Sequence, residues 1–464
     1  MNITFAVLQC ENQNVIECEY EYYRYLIYAF ISKYGSIFFF IMSITTMSDK
    51  DVSQYITKNL EVRESEKNKF GEVFTSNVLI DELFDNLPAS SWTNSELKWL
   101  DPCSGKGNFL AIAYSRLMNG LSKKIRDKTK RSQHILTNML YMVELNPSNV
   151  QELQKLFGKN ANISGANFLD NKEKWEKDLG QTQFDIIVGN PPFQVSKTGK
   201  YEGSVGNRTL WDKFLDKVFK EDIIKEKGYL AFINPSNWRR PEHHIYTLLT
   251  RENTLKYLHI YGKKEGISLL GAQTRFDLYI VQEGKPETTH KTHIIDEKQH
   301  KHLLNVSSWP FLPNYSYTKI KSVLVPITKG IPIIFSAGDY DARKLSKKRT
   351  KNHRFSVVHN ITQKGLGIRF AKDKKNTQIG VPKVLLNFNE RQYPYNDYRG
   401  EYGMSQLTFG IPIKSKKEGE QWISVIESPK FKEILRATKW GAFQTDYRMF
   451  KYFTPNLNKY DVML

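Results

Sequence analysis

The sequence predicts an α/β fold built on a mainly parallel sheet, followed by a C-terminal region of α+β character. Three observations carry this. Short apolar runs such as Leu140–Val143 and Phe184–Val188 have the length and β-branched content of buried strands. Segments with helical periodicity, Phe109–Leu121 and Ser148–Phe157 among them, alternate with those runs and give a βαβ pattern. From about residue 285 this alternation weakens and the composition changes.

At 464 residues the chain holds two or three cores, and 40% hydrophobic with 25% charged residues is ordinary globular composition, which excludes a disordered or fibrous protein. The formal charge of +19 favours a polyanionic partner, nucleic acid before membrane; a generally basic proteome is the bland alternative. Cys10, Cys18 and Cys103 make neither a disulfide framework nor a zinc spacing, which fits a reducing compartment.

Residues 1–47 read as a separate N-terminal extension. Tyr25 to Ile44 approaches membrane-spanning length but carries Lys33, with Arg24 at its edge. A membrane anchor, an added helix and a start assigned ahead of Met47 are the competing readings. The expectation is the last of these, or a dispensable extension. Residues 48–70 read as polar and helical. Phe74, Thr75 and Ser76 then precede a helix whose stripe is Val78, Leu79, Leu83, Phe84 and Leu87, with Thr75 or Ser76 as its cap and Pro88 as its stop.

Lys98 to Leu110 reads as strand, glycine-rich turn and helix, with Asp101-Pro102-Cys103-Ser104-Gly105 at the turn. Glycines let a ligand approach the backbone, and a helix N-terminus follows. The turn lacks the Gly-Lys-Ser/Thr ending of a phosphate loop and the Gly-x-Gly-x-x-Gly dinucleotide spacing. On its own it suits a nucleotide, a flavin or S-adenosylmethionine. Leu140–Val143 ends in Glu144, a carboxylate able to accept both hydroxyls of a ribose or simply to face solvent. Asn167-Phe168 follows a third strand near Ile163.

The fourth strand, Phe184–Val188, breaks at Gly189-Asn190-Pro191-Pro192-Phe193, where neither helix nor central strand continues. Asn190 thereby stands at the sheet edge where open α/β sheets place ligands. Its side-chain oxygen and the Pro191 carbonyl form a pair of acceptors for an exocyclic amine, with Phe193 placed to stack on the ring that carries it. Residues 194–209 read as a mobile polar loop, Leu210–Phe219 as a helix, and Gly228–Pro235 and Arg275–Val281 as strands, with Phe276, Leu278 and Ile280 on one face. His290, His293, His300 and His302 lie in a stretch that reads as a charged, solvated linker. Beyond it, Lys347, Lys348, Arg349 and Lys351 head a one-signed basic run with Phe355, Phe370, Tyr393, Tyr395 and Tyr398 nearby. That mixture suits phosphate contacts with stacking, against the alternative of a passive charged surface. Pro382–Phe388 and Ser405–Ile413 read as strands and residues 416–437 as helical.

Taken together, these motifs resemble the amino-group DNA methyltransferases that modify adenine at N6 from S-adenosylmethionine, restriction–modification enzymes included. The resemblance rests on Asn190-Pro191-Pro192-Phe193 as the [Asn/Asp/Ser]-Pro-Pro-[Tyr/Phe/Trp] catalytic motif and on Asp101-Pro102-x-x-Gly105 as the cofactor motif, and it covers residues 70–285. It implies that Phe74, Thr75, Asp101, Pro102, Gly105, Glu144, Asn167 and Phe168 hold the cofactor. Asn167 stands where the family commonly has Asp. It implies a Rossmann-like methyltransferase domain with a mainly parallel seven-stranded sheet over residues 48–285. Because the cofactor motif precedes the catalytic one and too few residues separate them for another domain, it implies the gamma arrangement, with target recognition in residues 286–464. Phe193 would stack on a flipped-out adenine, with Phe276 a weaker candidate for its opposite face against the equal alternative of core packing, and Lys347, Lys348, Arg349 and Lys351 would contact double-stranded DNA. A companion restriction endonuclease, a monomer without stable membrane association, and a bacterial cytoplasm or viral host compartment follow from the same resemblance; a metal or ATP does not. The rival expectations are methylation of RNA or of a protein glutamine, and a non-catalytic DNA-binding subunit.

Overall fold

The computed structural model describes residues 43–48, 75–194, 209–335, 344–374, 378–389, 391–441 and 445–463. Phe74, the expected helix over 48–70, residues 1–42 and most of the expected loop over 194–209 lie outside these. The chain divides into two compact units, residues 1–84 with 88–184, and residues 85–87 with 185–464.

The first unit contributes to the main sheet the run β3-β2-β1, where β1 is Trp99–Asp101, β2 Leu140–Val143 and β3 Asn162–Ser164. Both pairings are parallel, with Leu100 opposite Tyr141 and Met142 opposite Ile163. Parallel strands need long crossovers, and helices supply them: α2 (Asn108–Gly120) after β1, α3 (Pro147–Phe157) after β2 and α4 (Glu173–Leu179) after β3; α1 (Asn77–Asp85) precedes β1. α3 starts one residue ahead of the expected Ser148, with Pro147 in its first turn and the Asn146 side chain accepting from Ser148 N at 3.1 Å. In α1, Ile80 faces the core while Val78 is turned outward, which shifts the predicted stripe by one position. Ile44 is fully buried and the Ser43 hydroxyl donates to Leu156 O at 3.4 Å, so residues 43–46 pack on α3.

The second unit contributes the run β4-β5-β7-β6-β8-β9, with β4 Phe184–Gly189, β5 Ile224–Pro235, β6 Thr254–Tyr261, β7 Phe276–Gln282, β8 Thr292–Ile295 and β9 Lys301–Leu304. β7 runs antiparallel to both β5 and β6, with Phe276 opposite Pro235 and Tyr261. Between Phe276 and Val281 every residue of β7 is buried, not only the expected Phe276, Leu278 and Ile280, because the strand is covered on both faces. The seven strands expected over residues 48–285 are β1–β7, and β8 and β9 bring the main sheet to nine. One expectation is corrected here. The histidine stretch is no linker: β8 and β9 extend the sheet past residue 285, and His302 Nε2 bonds the fully buried Asp296 at 3.0 Å.

The remainder carries two small sheets, in agreement with the expected α+β character. One has the order β10-β16-β13-β14 and is antiparallel, with β10 Ile334–Phe335, β13 Lys383–Asn387, β14 Tyr395–Asp397 and β16 Thr408–Pro412. The other has the order β12-β11-β15, with β11 Phe355–Thr362, β12 Gly365–Ala371 and β15 Gly403–Met404. Ser428 splits the predicted helix over 416–437 in two, by ending α6 (Lys416–Glu427) and capping α7 (Pro429–Ala437), where its hydroxyl accepts from Phe431 N. Among the described residues no helix is long and apolar enough to cross a membrane.

Candidate active site

In the first unit the glycine turn is built from the end of β1 outward. Ser104 N donates to Val143 O at 3.1 Å and its hydroxyl to Asp101 O at 2.9 Å, which folds the turn across the end of β2. Gly107 has φ +87°, and a Cβ there would come within 2.7 Å of the Phe157 ring and 2.8 Å of Leu153, so only glycine lets α3 approach the turn. Glu144 then ties the parts together. One carboxylate oxygen accepts from Gly105 N at 2.7 Å and the other from Asn146 N at 2.6 Å. Thr75 is buried, and its carbonyl accepts from the Asn108 side chain at 3.3 Å. Thr75, Asp101, Pro102, Gly105 and Glu144 thus gather at one turn.

Asn167 and Phe168 are used locally. The Asn167 amide accepts from Leu169 N and donates to Asp170, closing its own turn. The Phe168 ring is 2% exposed and stacks on Trp175 at 5.4 Å, which makes it part of the core. Two residues that motif reading passed over now stand out. Asn108 opens α2, is buried, and among the described residues its Oδ1 has no hydrogen-bond partner. Leu145, beside Glu144, is an apolar side chain 53% exposed at the edge where ligands of such sheets bind. The signal for Asn108 was its place directly after Gly105-Lys106-Gly107.

Asp101 is 1% exposed. Burial pushes its carboxyl up to about 8, the Glu144 carboxylate adds to this, and the hydrogen bond from Cys103 N opposes it. The folded chain therefore holds a proton that the unfolded chain releases near pH 4. Stability contributed by this group falls as pH rises from about 4 to about 8 and is level above that. Asp101→Asn is expected to match the wild type in thermal midpoint near pH 4 and to exceed it by a few degrees near pH 8.5. Identical pH profiles for the two proteins would mean an ionised Asp101.

In the second unit, Ile186, Ile187 and Val188 of β4 are buried and deliver Asn190 half-buried at the strand end, with Pro191 buried and Phe193 half-buried. The corner is closed behind Phe193. Its carbonyl accepts from Leu210 N at 3.3 Å, Gln194 pairs with Thr209, and the Thr209 hydroxyl donates to Asp212 at the start of α5 (Trp211–Lys220) at 2.9 Å. Gln194 and Thr209 are thus held together at the Asn-Pro-Pro-Phe corner. Phe276 is elsewhere: it is fully buried, with its ring 4.7 Å from that of Tyr261 at 3°. That geometry makes it core packing and leaves no face for a base, which corrects the expectation. Lys347, Lys348, Arg349 and Lys351 are all exposed. Among the described residues no cluster of His, Cys, Asp and Glu could hold a metal ion.

Residues 110–266 match the family model of the Eco57I restriction-modification methylase. Three relatives align with parts of the chain. An uncharacterized adenine-specific methylase of Mycoplasma pneumoniae (strain ATCC 29342 / M129 / Subtype 1) is 26% identical over 38% of this chain and 57% of its own. The type II methyltransferase M.VspI of Vibrio sp. (strain 343) is 28% identical over 37% and 38%. The type II methyltransferase M.BstVI of Geobacillus stearothermophilus is 33% identical over 35% and 33%. The chain spans about a third to somewhat over half of these relatives' lengths. The family match falls within the stretch of the motif resemblance: residues 110–266, with Asn190-Pro191-Pro192-Phe193 inside them and Asp101-Pro102-x-x-Gly105 just ahead of them, are similar in sequence to the Eco57I restriction-modification methylases.

Proposed function

We propose that the chain is a site-specific DNA methyltransferase that moves a methyl group from S-adenosylmethionine to N6 of adenine. The observation that carries this reading is the Asn190-Pro191-Pro192-Phe193 corner at the end of a buried strand, inside the family match.

The residues at the glycine turn fit the cofactor. Gly105 leaves the backbone open, the Glu144 carboxylate is of the kind that accepts ribose hydroxyls, and the Asn108 Oδ1 is a buried acceptor for an ammonium. When bound, S-adenosylmethionine supplies an electrophilic methyl. The chain's own contribution is to position and polarise the acceptor. The adenine amine is a weak nucleophile because its lone pair is shared with the ring. With one hydrogen bonded to the Asn190 side-chain oxygen and the other to the Pro191 carbonyl, the lone pair is localised on nitrogen. Fixed dipoles of this kind need no reorganisation during the reaction. Phe193 holds the extruded base by stacking. Residues 286–464, with Lys347, Lys348, Arg349 and Lys351, bind the duplex and select the site. A companion endonuclease is part of the same reading.

Tritiated methyl transfer to DNA, RNA and protein side by side tests the proposal. Label in DNA alone is the expected result, and label confined to RNA or protein would refute it. Phe193→Ala is expected to slow transfer by about 10-fold, the scale of one stacking contact of 1–3 kcal/mol. An unchanged rate would argue against stacking.

A further inference from the structure

The β11–β12 ribbon carries a feature that the methyl-transfer reading leaves unexplained. Its pairing shifts by one residue between Val358 and Asn360, a bulge that re-aims the side chain following it. That side chain is Asn360, exposed and opposite Gly367. A Cβ at Gly367 would lie 1.6 Å from the Asn360 Oδ1, so the amide rests across β12 in space that only a glycine leaves. Gly367, Arg369 and Ala371 share one face of β12 by the two-residue period of a strand. Arg369 is therefore the next side chain along from the Asn360 amide, roughly 7 Å away.

Neither side chain is committed elsewhere. Among the described residues Asn360 makes no side-chain hydrogen bond and Arg369 no ion pair. The opposite face is occupied, since Leu366 and Ile368 pack on Val358, Ile361, Leu385 and Met404, and on the near face Val357, opposite Arg369, and Ala371 are buried with Leu345, which leaves the exposed Asn360 and the half-buried Arg369 as the polar side chains beside that cluster. The ribbon is also held rigidly. The Asn387 amide accepts from Ile361 N at 2.9 Å and donates to Ile361 O at 2.6 Å, and Val358 O accepts from Ser405 N and the Thr408 hydroxyl. Alongside, Ser346 pairs with Phe370 in both directions, which lays the exposed Lys347, Lys348 and Arg349 against the outer edge of β12.

We infer that this face of the β11–β12 ribbon reads the target sequence, with Asn360 and Arg369 making the base contacts and the 344–354 segment holding phosphates. This rests on the proposed action on DNA. A two-stranded ribbon fits the major groove, where an Asn amide pairs bidentately with adenine and an Arg fork with guanine. Phosphate contacts fix register without carrying sequence information. A purine-containing recognition sequence is the consequence.

The test is a map of methylated adenines, by modification-sensitive sequencing, in DNA treated with the full chain. The proteins compared are the wild type, Asn360→Ala, Arg369→Ala, Arg369→Lys and the pair Lys347→Ala/Lys348→Ala. Each of the first three variants is expected to relax the recognition sequence at one position, with discrimination lowered about 10- to 100-fold. Arg369→Lys belongs with them because lysine lacks the planar fork. S-adenosylmethionine binding, measured in parallel, verifies that each variant is folded. The lysine pair is expected to keep the wild-type sequence, weaken binding uniformly and lower the salt dependence of binding. A wild-type recognition sequence in all three ribbon variants would overturn the inference and leave methyl transfer to DNA standing. Failure of the wild type to modify DNA would overturn both.

Discussion

Asn190→Ala is expected to lower methyl transfer by at least about 10²- to 10³-fold, the effect of removing one preorganised hydrogen-bonding group from a reacting centre. S-adenosylmethionine binding should stay near wild type, because the residues assigned to the cofactor belong to the glycine turn and not to the corner. Alanine also leaves the backbone of the corner intact, since Pro191, Pro192 and the bond from Leu210 N to Phe193 O are unaltered. Single-turnover rates with titration calorimetry for the cofactor separate the two effects. Retained turnover would remove Asn190 from the mechanism, and lost cofactor binding would make its role structural.

Asp277→Ala is expected to be the most damaging change to stability among those considered. The Arg239 guanidinium is fully buried. It donates to Asp277 at 2.7 Å, to the carbonyls of Leu312 and Pro313 at 3.0 Å each, and to the Asn314 side chain at 2.8 Å. Asp277 is equally buried and also accepts from the Ser236 hydroxyl at 2.7 Å. Removing the carboxylate leaves a guanidinium without its counter-ion in the core, at a cost of about 3–5 kcal/mol. Replacing both partners, as Arg239→Met with Asp277→Leu, should cost less, because no charge is then stranded. Denaturant midpoints for the single and double variants check this. A single variant as stable as the double one would show that the charge is not desolvated as its burial implies.

The pair also shows what could and could not be read from the chain. Local features were legible. The Gly105–Gly107 turn, the helix read from Ser148 and the double-proline break after β4 each depend on neighbours within a few residues, and each stands within a residue of where the pattern put it. Contacts between distant residues were not. Arg239 reads as one of two arginines after a strand, and nothing local announces a carboxylate 38 residues on. β8 and β9 are four residues each, too short for a strand period to stand out in a stretch of charged residues and histidines. They become strands because β6 offers β8 an edge and Asp296 anchors His302. Phe276 was open to either base stacking or core packing, and Tyr261, from a strand the sequence did not reveal, covers its ring. The basic run was legible as exposed charge. The ribbon beside it was not, because a bulge and the glycine opposite it have meaning only once the two strands are paired.

The most direct test of the central claim is the chemical identity of the product. Duplex DNA is incubated with the purified chain and S-adenosylmethionine, digested to nucleosides and analysed by mass spectrometry. A polar proline corner that grips an exocyclic amine predicts N6-methyl-2′-deoxyadenosine as the methylated nucleoside formed. Methylation at a ring carbon of cytosine, or no methylated nucleoside with cofactor bound and DNA in excess, would contradict it.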